Sequence, residues 1–117
     1  TLGYTGGAVS TNRSFTINGT AAGHGASIDA SGSGALTMTA TASPAYGTVD
    51  QTRTLTLTGT NTANNTFAAN IADNGTGAVS LTKSGTGAWV LSGTNVYTGA
   101  TTVSGGALIL SGASSIP

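Results

Sequence analysis

Four side chains in this sequence could carry acid–base chemistry: Asp29, Asp50, Asp73 and His24. A polysaccharide hydrolase or lyase needs at least two carboxylates that converge on one groove. Asp29 and Asp73 fall near matching places of two similar segments but one residue out of register, so they need not share a face. Asp73 heads an Asp-Asn-Gly turn, a common structural position for aspartate, and His24 is alone in a glycine loop. We expect no catalytic residue, and the sequence predicts that the chain is not an enzyme.

Residue patterns that bind metals or cofactors are also absent from the sequence. Cysteine is absent, which excludes thiolate ligands, thiol catalysis and disulfides. The loops rich in Asp, Asn and Gly lack the spacing of an EF-hand or of a calcium-binding nonapeptide repeat. We therefore expect no metal site and no cofactor.

The charges and apolar runs limit the partners. Three cations, Arg13, Arg53 and Lys83, balance three aspartates, too few to displace the counterions of a nucleic acid. The longest apolar runs, such as 107–110, are far too short to span a bilayer. We expect neither nucleic-acid binding nor membrane insertion by this segment.

Two patterns keep other functions open. Trp89 could stack on a sugar, as in a carbohydrate-binding or polysaccharide-active β-helix. The threonines at 37–39 and 54–58 begin a flat hydroxyl array of the kind that an ice-binding solenoid uses. This array lapses at 80–82 and again at Val90.

The elements that must position these residues are short strands. Leucine and threonine alternate over 54–58, the period of a half-buried strand. Glycine separates nearly all such segments, with turn signals such as Asn-Gly, and no helical stripe is present. One set of apolar side chains is predicted to point inward: Leu55, Leu57, Val79, Leu81, Leu91, Leu108 and Leu110. Thr54, Thr56 and Thr58 are predicted to lie on the opposite side of their strand.

Internal repeats organise these strands. Residues 13–20 match 53–60 at an offset of 40, and residues 26–39 match 69–82 at an offset of 43. Such a unit fits two solenoid turns of about 20 residues each. The sequence therefore predicts an all-β fold, a parallel β-helix with about 20 residues per rung and about six rungs; a small β-sandwich is the alternative.

The same repeats set the predicted domain organisation. Residues 1–117 are expected to form a single solenoid segment, part of a longer repeat protein. The repeat units are placed at approximately 13–52 and 53–93, with the next unit from about 94.

Residues 81–108 read Leu-Thr-Lys-Ser-Gly-Thr-Gly-Ala-Trp-Val-Leu-Ser-Gly-Thr-Asn-Val-Tyr-Thr-Gly-Ala-Thr-Thr-Val-Ser-Gly-Gly-Ala-Leu. This stretch resembles the autotransporter-associated β-strand repeat, also called the passenger-associated transport repeat. Ten structural positions carry the resemblance: Lys83, Gly85, Gly87, Trp89, Leu91, Gly93, Asn95, Tyr97, Gly99 and Thr101.

The resemblance implies a β-helical passenger that Gram-negative bacteria export and display outside the cell. The hosts of this repeat are often adhesins, and its motif has no catalytic residue. We therefore expect a non-enzymatic structural shaft of an extracellular bacterial surface, adhesin or fibre protein, located outside the cell or on its surface.

The end rungs of such a helix expose unpaired strand edges, which natural proteins usually cover. Nothing in the sequence resembles a charged or helical cap. The expected partners are further repeats of the same chain or head-to-tail copies of it, and a host or matrix surface.

Overall fold

The structure, a computed structural model, describes residues 1–112 and residue 116. Strands form wherever short alternating runs lie between glycine-rich turns. Within the described part they are β1 (Leu2–Tyr4), β2 (Val9–Thr11), β3 (Thr16–Ile17), β4 (His24–Ala30), β5 (Leu36–Met38), β6 (Ala45–Tyr46), β7 (Arg53–Thr58), β8 (Asn65–Phe67), β9 (Val79–Lys83), β10 (Ala88–Leu91), β11 (Thr101–Val103) and β12 (Ala107–Leu110). Across these residues there is no helix with the length and apolar character to cross a membrane.

The strands form three parallel sheets that wrap around one core. Sheet A has the order β1-β4-β7-β9-β11, sheet B has the order β12-β10-β8-β5-β2, and sheet C pairs β3 with β6. All pairs between these strands are parallel. We number the coils by their strand in sheet A, so that coil 1 begins with β1 and coil 5 with β11. This arrangement confirms the all-β parallel β-helix, and the alternative β-sandwich is wrong because a sandwich is built from antiparallel sheets.

The length of a coil differs from the expected 20 residues. In sheet A, Leu2 pairs with Ile28, Ile28 with Leu57, Leu57 with Lys83, and Lys83 with Val103. The steps are therefore 26, 29, 26 and 20 residues. Only the last step has the expected length, and each large sheet has five levels rather than six.

The physical reason for this difference is that the short apolar segments, from whose spacing the rung length was predicted, lie on different faces of the solenoid. Ile17 belongs to sheet C, Leu36 to sheet B and Leu57 to sheet A. The number of residues between two such segments is therefore only part of the length of a coil. The division into sequence units at 13–52 and 53–93 stays a prediction, because strand register reports coils rather than sequence duplications.

The core follows the alternation of the strands. In β7 the burial alternates strictly: Arg53, Leu55 and Leu57 are buried, while the threonines between them are half-buried on the outer side. The inward prediction is confirmed for Leu55, Leu57, Val79, Leu81 and Leu91.

The last coil departs from that prediction. Leu108 is only partly buried against the core, and Leu110 is 42% exposed. Both lie in β12, the edge strand of sheet B, so no further strand covers them among the described residues.

Glycine at the corner between sheets A and B lets successive coils approach. Gly59 has a φ of +119°, and a Cβ there would lie 2.2 Å from the carbonyl oxygen of Ala30 in the coil before. A Cβ on Gly87 would lie 2.4 Å from the carbonyl oxygen of Asn61. A side chain at either position would force the neighbouring backbones apart.

Candidate functional site

The motif residues of the sequence fall in coil 4 and at the start of coil 5. Lys83 ends β9, Trp89 and Leu91 lie in β10, and Thr101 begins β11. The other six lie in the two connecting segments: Gly85, Gly87, Gly93, Asn95, Tyr97 and Gly99. The structure thus brings all ten together in one continuous layer of the stack.

Lys83 is a buried cation held by backbone carbonyls. The strand alternation turns its side chain inward, where it is 0% exposed. Its Nζ donates to the carbonyl of Ser84 at 2.5 Å and to that of Gly105 in coil 5 at 3.1 Å. Burial lowers the pKa of Lys83 below its usual range. The ammonium group therefore ties the glycine corner of coil 4 to that of coil 5.

Trp89 fills the interior of the stack. It is 0% exposed, and its Nε1 donates to the carbonyl of Thr58 in coil 3 at 2.9 Å. In register it stands between Asn65 and Leu108. A buried ring cannot stack on a sugar, so the interpretation of Trp89 as a sugar platform is wrong.

The segment after β10 closes coil 4 through polar contacts. Asn95 is 4% exposed, and its Oδ1 accepts from the backbone N–H of Ile71 in coil 3 at 3.1 Å. Tyr97 is 0% exposed, and its hydroxyl oxygen lies 2.6 Å from Oγ1 of Thr101. A Cβ on Gly99 would lie 2.3 Å from the carbonyl oxygen of Val79. These residues hold an irregular segment against the neighbouring coil.

Asn65 is a structural residue that our sequence reasoning missed. It is 0% exposed, its Oδ1 accepts from the N–H of Leu36 at 2.8 Å, and its Nδ2 donates to the carbonyl of Ala88 at 2.9 Å. One amide therefore links coils 2, 3 and 4. The alternation of Asn65-Thr66-Phe67 could have predicted this burial, because it places Asn65 on the same side of the strand as the apolar Phe67.

Arg53 is a second buried cation that the sequence left unassigned. It is 1% exposed, with Nη1 donating to the carbonyl of Ala21 at 2.8 Å and Nη2 to that of Gly19 at 2.7 Å. Its Nε has no hydrogen-bond partner among the residues that the structure describes. Like Lys83, it donates to carbonyls of another coil, here coil 1.

Two of the candidate acid–base residues lie in neighbouring loops: the N–H of Asp50 donates to the carbonyl of Asn74, the residue after Asp73, at 3.1 Å. Asp29 is in β4 of sheet A, half-buried, with Ser31 donating its hydroxyl to the carboxylate. Asp50 accepts from the N–H of Thr76 at 2.8 Å, and His24 is exposed. Among the residues that the structure describes, no group of three or more His, Asp or Glu side chains could hold a metal ion.

Asp73 joins two coils. Its Oδ1 accepts from the N–H groups of Val79 and Thr98, each at 2.9 Å, and its Oδ2 accepts from the hydroxyl of Thr98 at 2.6 Å. Partial burial by itself raises the pKa of this carboxyl, but the hydrogen bonds from Thr98 and Val79 outweigh it and hold the pKa below its usual value. The carboxylate form is therefore the one that stabilises the fold.

Asp73→Asn is expected to reduce the loss of stability, measured as the free energy of unfolding, that occurs as the pH is lowered. Because the folded pKa of Asp73 is lowered, its contribution is complete above the unfolded pKa of about 4 and is lost as the pH falls through the folded pKa. Urea midpoints measured between about pH 6 and about pH 3 should fall less for this variant than for the wild type. Asp50→Asn, at an exposed turn, is the matched control. An unchanged slope in Asp73→Asn would refute the assignment.

The threonine arrays of the sequence belong to two separate faces. Thr37 lies on sheet B, in register with Thr66 and then Val90. Thr56 lies on sheet A, in register with Thr82. The expectation that 37–39 and 54–58 begin one lattice is therefore wrong, because these strands are in different sheets.

Fold and motif together define a parallel β-solenoid that carries the passenger-repeat motif in coils 4 and 5. Residues 81–110 match the model of the family Passenger-associated-transport-repeat. The chain carries this repeat, and the resemblance drawn from the sequence is confirmed.

A relative with a curated description extends the likeness beyond the motif. The chain is 43% identical over 108 residues to the Adhesin BmaC autotransporter of Brucella suis biovar 1 (strain 1330). The alignment covers 92% of this chain, which spans 3% of the length of that relative. No solved structure was found to match the chain.

Proposed function

We propose that the chain is a non-enzymatic structural segment of an exported bacterial surface protein, a shaft within an adhesin passenger. One observation carries the proposal: the large side chains of the passenger-repeat motif point into the stack. Lys83, Trp89 and Tyr97 are each 0% exposed. They hold coils together and present no chemistry to the outside.

The mechanism of such a shaft is mechanical. Parallel ladders run through five levels of sheets A and B, so a force on one coil is shared by many backbone hydrogen bonds. Buried polar groups such as Asn65 bridge neighbouring coils. The low charge of the chain avoids the like-charge contacts that stacking would bring together.

The location and the lack of enzymatic activity rest on the comparisons and on the structural hydrogen bonds of the aspartates. The relative is described as an adhesin autotransporter, which supports a place outside the cell or on its surface. Each aspartate accepts structural hydrogen bonds: Asp73 from Thr98 and Val79, Asp50 from the N–H of Thr76, and Asp29 from the hydroxyl of Ser31. This arrangement favours a structural role over hydrolysis.

A trypsin experiment on the displayed chain tests the shaft. The chain has three tryptic sites, of which Arg53 and Lys83 are 1% and 0% exposed, while Arg13 is exposed between β2 and β3. The chain is placed between an N-terminal epitope tag and a cell-surface anchor, with linkers free of Lys and Arg. External trypsin is expected to release the tag through cleavage after Arg13 only.

Arg13→Gln provides the matched variant. It should keep its tag under the same digestion, because the remaining two sites lie inside the coil stack, whereas digestion in urea should cut at both. Loss of the tag from Arg13→Gln under native conditions would show that the coils do not form a closed shaft.

A further inference from the structure

The sequence contains two Asn-Gly pairs, at 18–19 and 74–75. In such a pair the main-chain nitrogen of the glycine can attack the side-chain amide of the asparagine, because glycine has no side chain to block the approach. The fold holds the side chains of these two asparagines in different ways, and the two pairs therefore differ in their access to this reaction.

The amide of Asn74 is fixed inside the stack. Asn74 is 5% exposed, and its Nδ2 donates to the carbonyls of Thr48 at 2.7 Å and Gln51 at 2.9 Å. The main chains of Asn74 and Gly77 also donate to each other, each N–H to the other carbonyl at 2.9 Å. Because the amide would have to turn toward the nitrogen of Gly75 to react, these bonds protect it.

The amide of Asn18 has no such restraint. Asn18 follows the buried Ile17 and is exposed on the outer side of the coil. Its side chain makes no hydrogen bond with the residues that the structure describes. It lies over Gly47 of coil 2, where a Cβ would be 2.3 Å from Oδ1 of Asn18 and 3.1 Å from the nitrogen of Gly19. The amide and the nitrogen that would attack it therefore border the same small space.

His24 places a base beside this pair. A Cβ on Gly19 would lie 2.0 Å from Nδ1 of His24, so the imidazole occupies the place that a side chain would take. In the neutral imidazole protonated at Nε2, Nδ1 is an acceptor. The N–H of Gly19 has no hydrogen-bond partner in the described part of the chain, and its proton is therefore available to this acceptor.

We propose that Asn18 deamidates in the folded chain with His24 as the base, while Asn74 is protected. The nitrogen of Gly19 attacks Cγ of Asn18, and its proton passes to Nδ1 of His24. The new N–C bond closes a succinimide ring, and the side-chain amide nitrogen takes up the proton and leaves as ammonia. Water then opens the ring at one of its two carbonyls, which leaves an aspartate or an isoaspartate at position 18.

The modified residue lies at a corner that joins two coils. The carbonyl of Gly19 accepts from Nη2 of Arg53 at 2.7 Å and from the N–H of Thr48 at 3.3 Å. An isoaspartate adds one methylene to the main chain directly before Gly19 and displaces this carbonyl from the guanidinium group. It also adds a negative charge to a chain whose formal net charge is zero. The aged chain is therefore expected to be more acidic than the fresh chain and to unfold at lower urea.

Ageing of the purified chain at neutral pH in heavy-oxygen water tests the site. Each deamidation takes up one solvent oxygen, and mass spectrometry of the tryptic peptides 14–53 and 54–83 locates it, because these peptides separate the two pairs. Conversion at Asn18 is expected to be at least about tenfold faster than at Asn74 in the folded chain. In urea that unfolds the chain the two rates should converge. Equal rates in the folded chain, or faster conversion at Asn74, would overturn the proposal.

His24→Ala tests the base. A positioned base typically contributes about 10²–10⁴ in rate, and we expect conversion at Asn18 to slow by at least about tenfold in this variant. Added imidazole should restore part of the rate, which it would not do if His24 served only to pack against Gly19. Arg13→Gln, at another exposed residue of coil 1, is the control with an unchanged rate. An undiminished rate in His24→Ala, or a slow rate that imidazole leaves unchanged, would refute the role of His24.

Discussion

Trp89→Ala is expected to lower the free energy of unfolding by about 3–5 kcal/mol. The indole ring is 0% exposed, and its removal leaves a cavity and an unpaired carbonyl at Thr58. The cavity cannot easily collapse, because the neighbouring strands at Asn65 and Leu108 are fixed by the parallel ladder on both sides. Urea unfolding followed by circular dichroism measures the effect, since the chain has one tryptophan and this variant lacks it.

Two further variants separate the causes. Trp89→Phe keeps most of the ring but leaves the Thr58 carbonyl without its donor, which should cost about 1–3 kcal/mol. Val96→Ala, at a side chain 61% exposed, should change stability by no more than about 0.5 kcal/mol. If Trp89→Ala were as mild as Val96→Ala, the ring would not support the core, and the structural role given to the motif would be wrong.

Strand character and inward faces were readable from the sequence because they depend on local alternation. The same alternation that places Leu55 and Leu57 inside also places Arg53 inside, and in β9 it does so for Lys83. These two cations could have been assigned to the interior on that pattern. The hydrogen-bond partners of these two cations could not be predicted, because the carbonyls that accept from them belong to other coils. Examples are the carbonyls of Gly19 and Gly105.

The number of residues per coil could not be predicted from the sequence, because the strands of the three sheets have similar sequence patterns. A short Thr-rich run with two apolar residues occurs in sheet A, in sheet B and in sheet C, as at Leu55, Leu36 and Ile17. Only long-range pairing tells these runs apart. Asn65 shows the same limit, since its partners Leu36 and Ala88 lie 29 and 23 residues away in the chain.

Gly59→Ala is expected to cost at least about 3 kcal/mol, an effect as large as a severe core substitution. The φ of Gly59 is +119°, and the new Cβ would lie 2.2 Å from the oxygen, 2.5 Å from the carbon and 2.6 Å from the nitrogen of Ala30. These are backbone atoms of β4, which pairs with β7 over residues 24–29 and with β1 at Ala30, so they cannot move away as a flexible side chain would. Coils 2 and 3 must therefore separate at this corner.

Gly23→Ala is the matched control for backbone strain. Gly23 also has a positive φ, +81°, but a Cβ there meets nothing within 4 Å. Its cost should be limited to the left-handed conformation, about 1–2 kcal/mol. The difference between the two variants in urea unfolding isolates the close approach of the coils from the strain of the backbone.

Hydrogen exchange locates the damage that Gly59→Ala is expected to cause. The N–H of Asn61 donates to the carbonyl of Ala30 at 3.0 Å, on the same peptide that the new Cβ would displace. Exchange of the Asn61 amide should become faster in Gly59→Ala and stay unchanged in Gly23→Ala, because only the first variant opens the corner between coils 2 and 3. Equal stability of the two variants, together with an unchanged Asn61 amide, would mean that this corner tolerates a side chain and that the glycines there do not set the spacing of the coils.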